Sequence, residues 1–235
     1  MSRLVDLASP EGQSLLVEVK QDDIFYHPCI EQVFSKQISR RNCALQSAAI
    51  LLNAFYLATL SPASSHTNGS TDIPKCTAAG QLPFAEERML EAKGARDVTS
   101  LEKVDARGAT LDEMCRIMAA HGCQAERHYA TESSVESFRE KCKSALGTSH
   151  GGVIVNYHMA TLGQGTFGGH HSPLGAYHPR EDRFLLWDTW PDTQVCWART
   201  DDLFRAMDTV DTQSNASRGF CIVYNCTYPE QQTGH

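Results

Sequence analysis

Residues 43–58 read CALQSAAILLNAFYLA and are apolar almost all round. A run of helix formers this long, without glycine or proline, predicts a helix that is buried on every side. Cys43 opens the run, so we expect its thiol in the first turn. The next segment, 61–74, is rich in Ser, Thr, Gly and Pro and lacks apolar periodicity. This composition predicts a mobile loop inserted within a domain.

Two amphipathic helix patterns occupy the middle of the chain. Thr110-Leu-Asp-Glu113 matches a capping box, and Gly122 is a stop signal for the helix that follows it. Apolar residues also recur at helical spacing over 135–146. Cys115 and Cys142 fall on these apolar faces, and we interpret them as buried structural thiols.

The second half of the chain changes to short strand patterns. The β-branched and aromatic runs lie at 153–158, 172–178, 183–188 and 218–225. Residues 178–182 predict a hairpin connection, and 201–208 predict a short helix with Thr200 as its N-cap. Helices followed by an antiparallel sheet indicate an α+β fold. We expect one domain over 1–235, with 226–235 as a tail.

Composition narrows the function classes. The chain has 235 residues, a net charge of −7 and nine cysteines. A negative chain lacks the cationic field that holds nucleic acid, so we expect no nucleic-acid partner. The longest apolar run, 48–52, is far shorter than the roughly 20 residues of a bilayer crossing, and no signal-peptide pattern opens the chain. These features, and an odd number of dispersed cysteines, predict a soluble cytoplasmic protein.

A candidate nucleophile and its partners can be placed from the predicted elements. A thiol reacts as the thiolate, and a helix N-terminus beside a histidine lowers its pKa. Cys43 begins a helix, His170 begins one strand and Asp188 ends the next. Because a tight hairpin puts those two strand ends side by side, the histidine can meet the carboxylate. Gln37 can fold back from the preceding loop to bind an oxyanion.

Several motifs together resemble the phytochelatin synthase family. They are Gln37-Ile-Ser-Arg-Arg-Asn-Cys43, continuing to Asn53; Gly169-His-His-Ser-Pro-Leu-Gly-Ala-Tyr177; Asp188; Ala206-Met-Asp-Thr-Val-Asp211; and Arg218-Gly-Phe220. The match is collinear over nearly the whole chain. The resemblance implies a papain-like fold and an enzyme that transfers the γ-glutamylcysteinyl unit of glutathione. Such an enzyme releases glycine and makes phytochelatins, the (γ-Glu-Cys)n-Gly peptides that sequester heavy metals.

The same resemblance assigns roles to individual residues. It implies that Cys43 is the acyl-forming nucleophile, His170 the general base and acid, Asp188 the orienting carboxylate, and Gln37 the oxyanion donor.

Substrate-binding roles follow from the resemblance as well. A γ-glutamyl group carries a free ammonium and a free carboxylate, and Asp211 and Arg218 fall on the family positions that meet them. Asn42 and Gly169, the neighbours of Cys43 and His170, are also expected to contact substrate.

This sequence departs from the family pattern at four positions, with Asn42 and Ala44 beside the nucleophile and Met159 and Pro191 where arginines are usual. The two missing guanidiniums predict weak binding of a second glutathione. The chain resembles the short, single-domain form of the family, without the Cys-rich half of plant members.

No tightly bound cofactor is expected. Cd²⁺ or Zn²⁺ would enter as metal–glutathione thiolates, and no protein metal site is assigned. The sequence does leave open a site where His158, His170, His171 and His178 cluster near one sheet edge. We expect His171, next to the catalytic candidate, to point to the opposite face of its strand.

Two alternatives stay open at this point. One is a hydrolase that removes glycine from glutathione or its S-conjugates, with water replacing the second peptide. The other is a non-catalytic thiol and histidine metal buffer, for which clustered cysteines would be typical. The sequence leaves the choice between a monomer and a homodimer open.

Overall fold

A computed structural model describes residues 4–22, 25–60, 82–165 and 168–224. The insertion expected at 61–74 and the tail expected at 226–235 lie outside these residues. The helices are α1 (Pro10–Asp22), α2 (Pro28–Val33), α3 (Cys43–Leu60), α4 (Ala95–Val98), α5 (Leu101–Arg107), α6 (Leu111–Ala120), α7 (Val135–Leu146), α8 (Met159–Leu162) and α9 (Thr200–Met207). The strands are β1 (Val5–Asp6), β2 (Gln124–Tyr129), β3 (Gly151–His158), β4 (Gly169–His178), β5 (Arg183–Leu186), β6 (Cys196–Arg199), β7 (Val210–Asp211), β8 (Ala216–Ser217) and β9 (Gly219–Tyr224).

Seven of these strands form one sheet in the order β1-β6-β5-β4-β3-β9-β2, and every neighbouring pair is antiparallel. Strands β7 and β8 pair as a separate ribbon. The predicted combination of helices with an antiparallel sheet is confirmed. The sequence did not predict five of the described strands, β1, β2, β6, β7 and β8. Four of them have only two to four residues, too few to show a period, and the sequence of β2, QAERHY, is polar.

Both faces of the sheet are covered by helices. Ile154 of β3 belongs to the apolar cluster that contains α3, whereas its neighbours Val153 and Val155 belong to the cluster that contains α7 and α9. A strand buried on both faces is apolar throughout rather than alternating. The central strands therefore hold the site residues between two packed layers.

Helix α3 begins at Cys43 as predicted and extends two residues beyond the predicted end, to Leu60. Within the part of the chain that the structure describes, α3 is long and apolar enough to cross a membrane, and 78% of it is buried inside the fold. The helix packs against β4. This contact brings the first turn of α3 to the start of the strand that carries both candidate histidines.

The two predicted amphipathic helices are confirmed as α6 and α7. Thr110 and Glu113 form the reciprocal bonds of a capping box, and α7 covers the predicted range Val135–Leu146. The predicted N-cap at Thr200 is wrong, since Thr200 is the first residue of α9. Its hydroxyl instead donates to the main-chain oxygen and Oδ1 of Asp182 (3.1 and 2.7 Å), and so ties the helix to the β4–β5 turn.

Candidate active site

Cys43 is buried at the N-terminus of α3, with 8% of its surface exposed. The carbonyl of the preceding residue, Asn42, accepts the amide hydrogen of Gln46 at 2.8 Å, so the helical ladder starts at Asn42. The amides of a first helical turn have no intrahelical acceptor and carry the positive end of the helix dipole. The Cys43 thiol therefore lies where a negative charge is favoured.

The β4–β5 hairpin joins His170 to Asp188. Nε2 of His170 lies 2.9 Å from Oδ1 of Asp188, and both side chains are buried. Strand β5 ends at Leu186, two residues earlier than predicted, so Asp188 belongs to the following loop. The expected meeting of the two strand ends nevertheless occurs, because β4 and β5 are antiparallel neighbours.

Four groups fix the Asp188 carboxylate. Besides His170, the amide of Trp190 donates to Oδ1 at 2.8 Å, while the Tyr157 hydroxyl and Nε2 of Gln164 donate to Oδ2 at 3.1 and 2.6 Å. Burial alone would raise the pKa of Asp188, but hydrogen bonding and charge from His170, followed by the Trp190 amide, lower it overall. Asp188 is thus held as a carboxylate that orients the His170 imidazole.

His170 and His171 both contact the Cys43 thiol. Nδ1 of His171 lies 3.8 Å from Sγ. Since Nε2 of His170 is on Asp188, Nδ1 is the nitrogen left for its hydrogen bond to Cys43. The expectation that His171 turns away from the nucleophile is wrong. The two residues do alternate across the strand as expected, but the first turn of α3 brings Cys43 beside the start of β4, within hydrogen-bonding distance of both imidazoles.

The Cys43 thiol and the His170 imidazole shift each other's pKa. Burial raises the pKa of the Cys43 thiol, but hydrogen bonds and charge from His170, and then from His171, outweigh burial and lower it to about 5. Burial lowers the pKa of His170, but the hydrogen bonds to Asp188 and Cys43 raise it to about 9. A thiolate beside an imidazolium is the favoured state between these values.

Gln37 is buried beside the site and its side-chain amide is already engaged. Nε2 donates to the Ser39 carbonyl at 2.9 Å, and Oε1 accepts from the Thr189 hydroxyl at 3.0 Å. Thr189 also lies 3.5 Å from Nε2 of His170. Gln37 is therefore connected to His170 through Thr189, and it is not among the described residues that line the cavity around Cys43.

Asp211 and Arg218 also line that cavity. The Arg218 guanidinium donates from Nη1 to the Val210 carbonyl (2.7 Å), and its buried Nε has no partner among the described residues. Burial lowers the pKa of Arg218, an effect that the charge of Asp211 opposes. A Cβ on Gly169 would lie 2.8 Å from Nε of Arg218, so glycine at this position makes room for the guanidinium.

The cavity has a volume of about 420 Å³, within the roughly 300–1,000 Å³ typical of small-molecule sites. Arg40 and Arg41 contribute to its rim and are exposed, with Arg40 stacked 5.8 Å from the Trp190 ring centroid.

Met159 also lines the cavity, whereas Pro191 is exposed and lies outside the lining. Asn42 is buried outside the lining too, and its Oδ1 has no partner among the described residues.

The four histidines expected near one sheet edge are not together. His170 and His171 lie at the start of β4 and His178 at its end, a separation of roughly 23–26 Å at about 3.3 Å per residue. His158 bonds instead to Thr161, and His178 to Glu18. In residues 4–22, 25–60, 82–165 and 168–224, no group of three or more His, Cys, Asp or Glu is arranged to hold a metal ion.

Four residues of the site were not identified from the sequence. Asn156 and Tyr157 could have been found from strand register, because they pair with His171 and His170 across β3 and β4. Gln164 and Thr189 lie outside the strands, and their side-chain contacts depend on tertiary packing. No local pattern in the sequence predicts their positions.

Comparison with known proteins supplies the family. The Phytochelatin synthase family model matches residues 1–220, so the chain belongs to the phytochelatin synthase family. It is similar to glutathione gamma-glutamylcysteinyltransferase 3 of Lotus japonicus, with 28% identity covering 93% of this chain and 42% of that protein. It is also similar to glutathione gamma-glutamylcysteinyltransferase 1 of Arabidopsis thaliana, with 24% identity covering 93% of this chain and 41% of that protein. The chain spans about two fifths of the length of these relatives.

Proposed function

We propose that this protein is a γ-glutamylcysteine dipeptidyl transferase that acts on glutathione through an acyl-enzyme on Cys43. The observation that carries the proposal is one cavity lined by Cys43, His170, Asp211 and Arg218. It combines an activated thiol with one anion and one cation. Those are the groups needed to attack a peptide bond and to hold a zwitterionic γ-glutamyl end.

In the first half-reaction, the Cys43 thiolate attacks the carbonyl carbon of the Cys–Gly bond of glutathione. The imidazolium of His170 gives its proton to the departing nitrogen, the C–N bond breaks and glycine leaves. Asp188 holds Nε2 of His170 at 2.9 Å, which keeps Nδ1 directed toward the reacting atoms. This arrangement corresponds to a papain-like Cys-His-Asp triad, and we infer a papain-like single domain on that basis.

The oxyanion formed on attack needs preorganised donors. The backbone amide of Cys43 is one candidate, because it lies in the first turn of α3 without an intrahelical acceptor. Gln37 is the second candidate. It would exchange its 2.9 Å bond to the Ser39 carbonyl for the oxyanion, while Thr189 keeps its Oε1 in place.

In the second half-reaction, the amine of a second glutathione attacks the thioester and gives its proton to His170. The product is a phytochelatin, and the role that follows is heavy-metal detoxification. The acceptor carries carboxylates, and the exposed guanidiniums of Arg40 and Arg41 on the cavity rim offer partners for them. Cd²⁺ or Zn²⁺ would take part as the metal–glutathione thiolate substrate. A cytoplasmic location and a homodimer remain predictions.

Hydrolysis of the acyl-enzyme is the second candidate function. It is favoured by Met159, an apolar residue that lines the cavity at a position expected to bind the acceptor. Water would then release γ-Glu-Cys, as in a glutathione or S-conjugate deglycylase.

The deciding experiment incubates purified protein with glutathione, with and without Cd²⁺, and identifies products by mass spectrometry. Glycine with (γ-Glu-Cys)₂-Gly supports the transferase, and glycine with γ-Glu-Cys supports the hydrolase. Binding of Cd²⁺ without any glycine release would replace both with the metal-buffer alternative.

A further inference from the structure

We propose that His171 is a second catalytic imidazole, which donates a hydrogen bond from Nδ1 to the Cys43 sulfur, and that Asn156 is the positioning residue that fixes its tautomer. Only one part of this inference rests on the proposed function, namely the effect of His171 on acyl transfer. The contact with the thiol does not depend on the identity of the substrate.

Strand register places this second imidazole on the nucleophile's side of the sheet. His171 pairs with Asn156, and the next pair on the same face includes Ile154, which belongs to the apolar cluster around α3. His170 pairs with Tyr157 of the opposite cluster. Helix α3 is also tied to this point directly, because the Ser47 hydroxyl donates to the His171 carbonyl at 3.0 Å. Cys43, one turn earlier in α3, therefore faces His171.

The partner of Nε2 determines where the proton of His171 resides. Nδ2 of Asn156 lies 2.8 Å from Nε2 of His171, and Oδ1 of Asn156 has no partner among the described residues. An amide N–H that donates to Nε2 needs a lone pair there, so the ring proton is on Nδ1. Nδ1 lies 3.8 Å from the Cys43 sulfur, a distance at which N–H can donate to a thiolate. Asn156 and His171 thus form a chain of two hydrogen bonds that ends at the Cys43 sulfur.

Such a donor assists the second half-reaction in particular. When the acceptor amine or water attacks the thioester, its proton goes to His170, the C–S bond breaks and the electron pair remains on sulfur. Hydrogen bonding to the departing thiolate stabilises this charge as it develops. His170 serves as base and acid, and His171 serves as a donor to the leaving group.

The test is the pH dependence of Cys43 alkylation by iodoacetamide, followed at that residue by peptide mass spectrometry, so no substrate is needed. His171→Phe keeps a ring and removes the donor. His171→Asn keeps an N–H close to the position of Nδ1. Asn156→Leu removes the amide that fixes the tautomer of His171. The control is His178→Phe, which removes another buried histidine of β4 that contacts Glu18 rather than Cys43. The variants leave unchanged the other titratable groups that face the thiol: His170, Asp188, Arg40, Arg41, Arg107, Asp211 and Arg218.

We expect His171→Phe to raise the midpoint for alkylation by about one to two pH units. Asn156→Leu should raise it by a smaller amount, and His171→Asn and His178→Phe should leave it within about half a unit of the parent protein. An unchanged midpoint in His171→Phe overturns the proposal, as does an equal rise in His171→Phe and His171→Asn. If His171→Phe does not fold, the Asn156→Leu variant provides the test. An unchanged alkylation midpoint in that variant overturns the proposal. Failure of the proposed transferase would appear instead as no glycine release by the parent protein, whatever the midpoints are.

Discussion

Oδ1 of Asp188 lies 2.9 Å from Nε2 of His170, although the two residues are 18 positions apart in the chain. The pair is buried and the carboxylate has three further donors. His170 contacts both Asp188 and Cys43, so the carboxylate stabilises the imidazolium that lowers the pKa of the Cys43 thiol. The first two predictions depend on these contacts.

The first prediction concerns pH. The Cys43 thiolate is protonated as pH falls through its pKa of about 5, and the His170 imidazolium loses its proton as pH rises through about 9. The rate of glycine release at glutathione concentrations well below KM, which reports kcat/KM and hence the free enzyme, should therefore be bell-shaped, with limbs near these values. An enzyme whose rate only begins to rise near the ordinary thiol pKa of about 8.5 would contradict the ion pair.

The second prediction concerns the histidine and its carboxylate. His170→Ala and Asp188→Asn should each lower kcat for glycine release by about 10²- to 10⁴-fold, because proton transfer to the departing amine is lost. Asp192→Asn, on the exposed surface nearby, should retain the parent rate. Parent-like kcat in either site variant, with folding verified by circular dichroism, would show that the base lies elsewhere.

The third prediction concerns the γ-glutamyl end of the donor. Asp211→Ala and Arg218→Ala each remove a charge-assisted contact, which corresponds to a rise of about ten- to 150-fold in KM for glutathione. Asp208→Ala is the control, since Asp208 is exposed and not among the lining residues. A KM that stays at the parent value in both Asp211→Ala and Arg218→Ala would remove this pocket from the account.

The fourth prediction concerns the acceptor. Water at about 55 M competes with the second peptide, so acceptor binding sets the product ratio. Because Met159 and Pro191 replace expected arginines, we predict ready release of γ-Glu-Cys, with mainly the dimeric phytochelatin formed, and only at high glutathione and metal. The double variant Arg40→Gln/Arg41→Gln should shift products further toward γ-Glu-Cys while glycine release is kept.

The control for the acceptor prediction is Arg116→Gln, which changes an arginine of α6 that pairs with Asp112 away from the cavity. The measurement is the ratio of γ-Glu-Cys to (γ-Glu-Cys)₂-Gly across a glutathione titration. Long oligomers at low glutathione in the double variant would mean that neither rim arginine binds the acceptor.

Local patterns predicted helices α3, α6, α7 and α9 and strands β3, β4, β5 and β9, and the other described elements were not predicted. The capping box of Thr110 and the apolar periodicity of α7 are set within a few residues, so their helices were predictable. The contact of His170 with Asp188 was predictable because a hairpin fixes which strand ends meet. The approach of His171 to Cys43 was not, because it depends on where α3 crosses the start of β4. The same holds for Gln37, whose amide bonds are set by Ser39 and Thr189.

The central claim is that Cys43 carries the γ-glutamylcysteinyl group. Intact-mass analysis of protein mixed with glutathione and quenched in acid tests it most directly, with the parent protein and Cys43→Ser compared side by side. We predict a γ-Glu-Cys adduct that maps to Cys43 in the parent protein, and neither adduct nor glycine release in Cys43→Ser, because a hydroxyl is a far poorer nucleophile at this site. An adduct of the same mass on Cys43→Ser, or glycine release at the parent rate by that variant, would contradict the account.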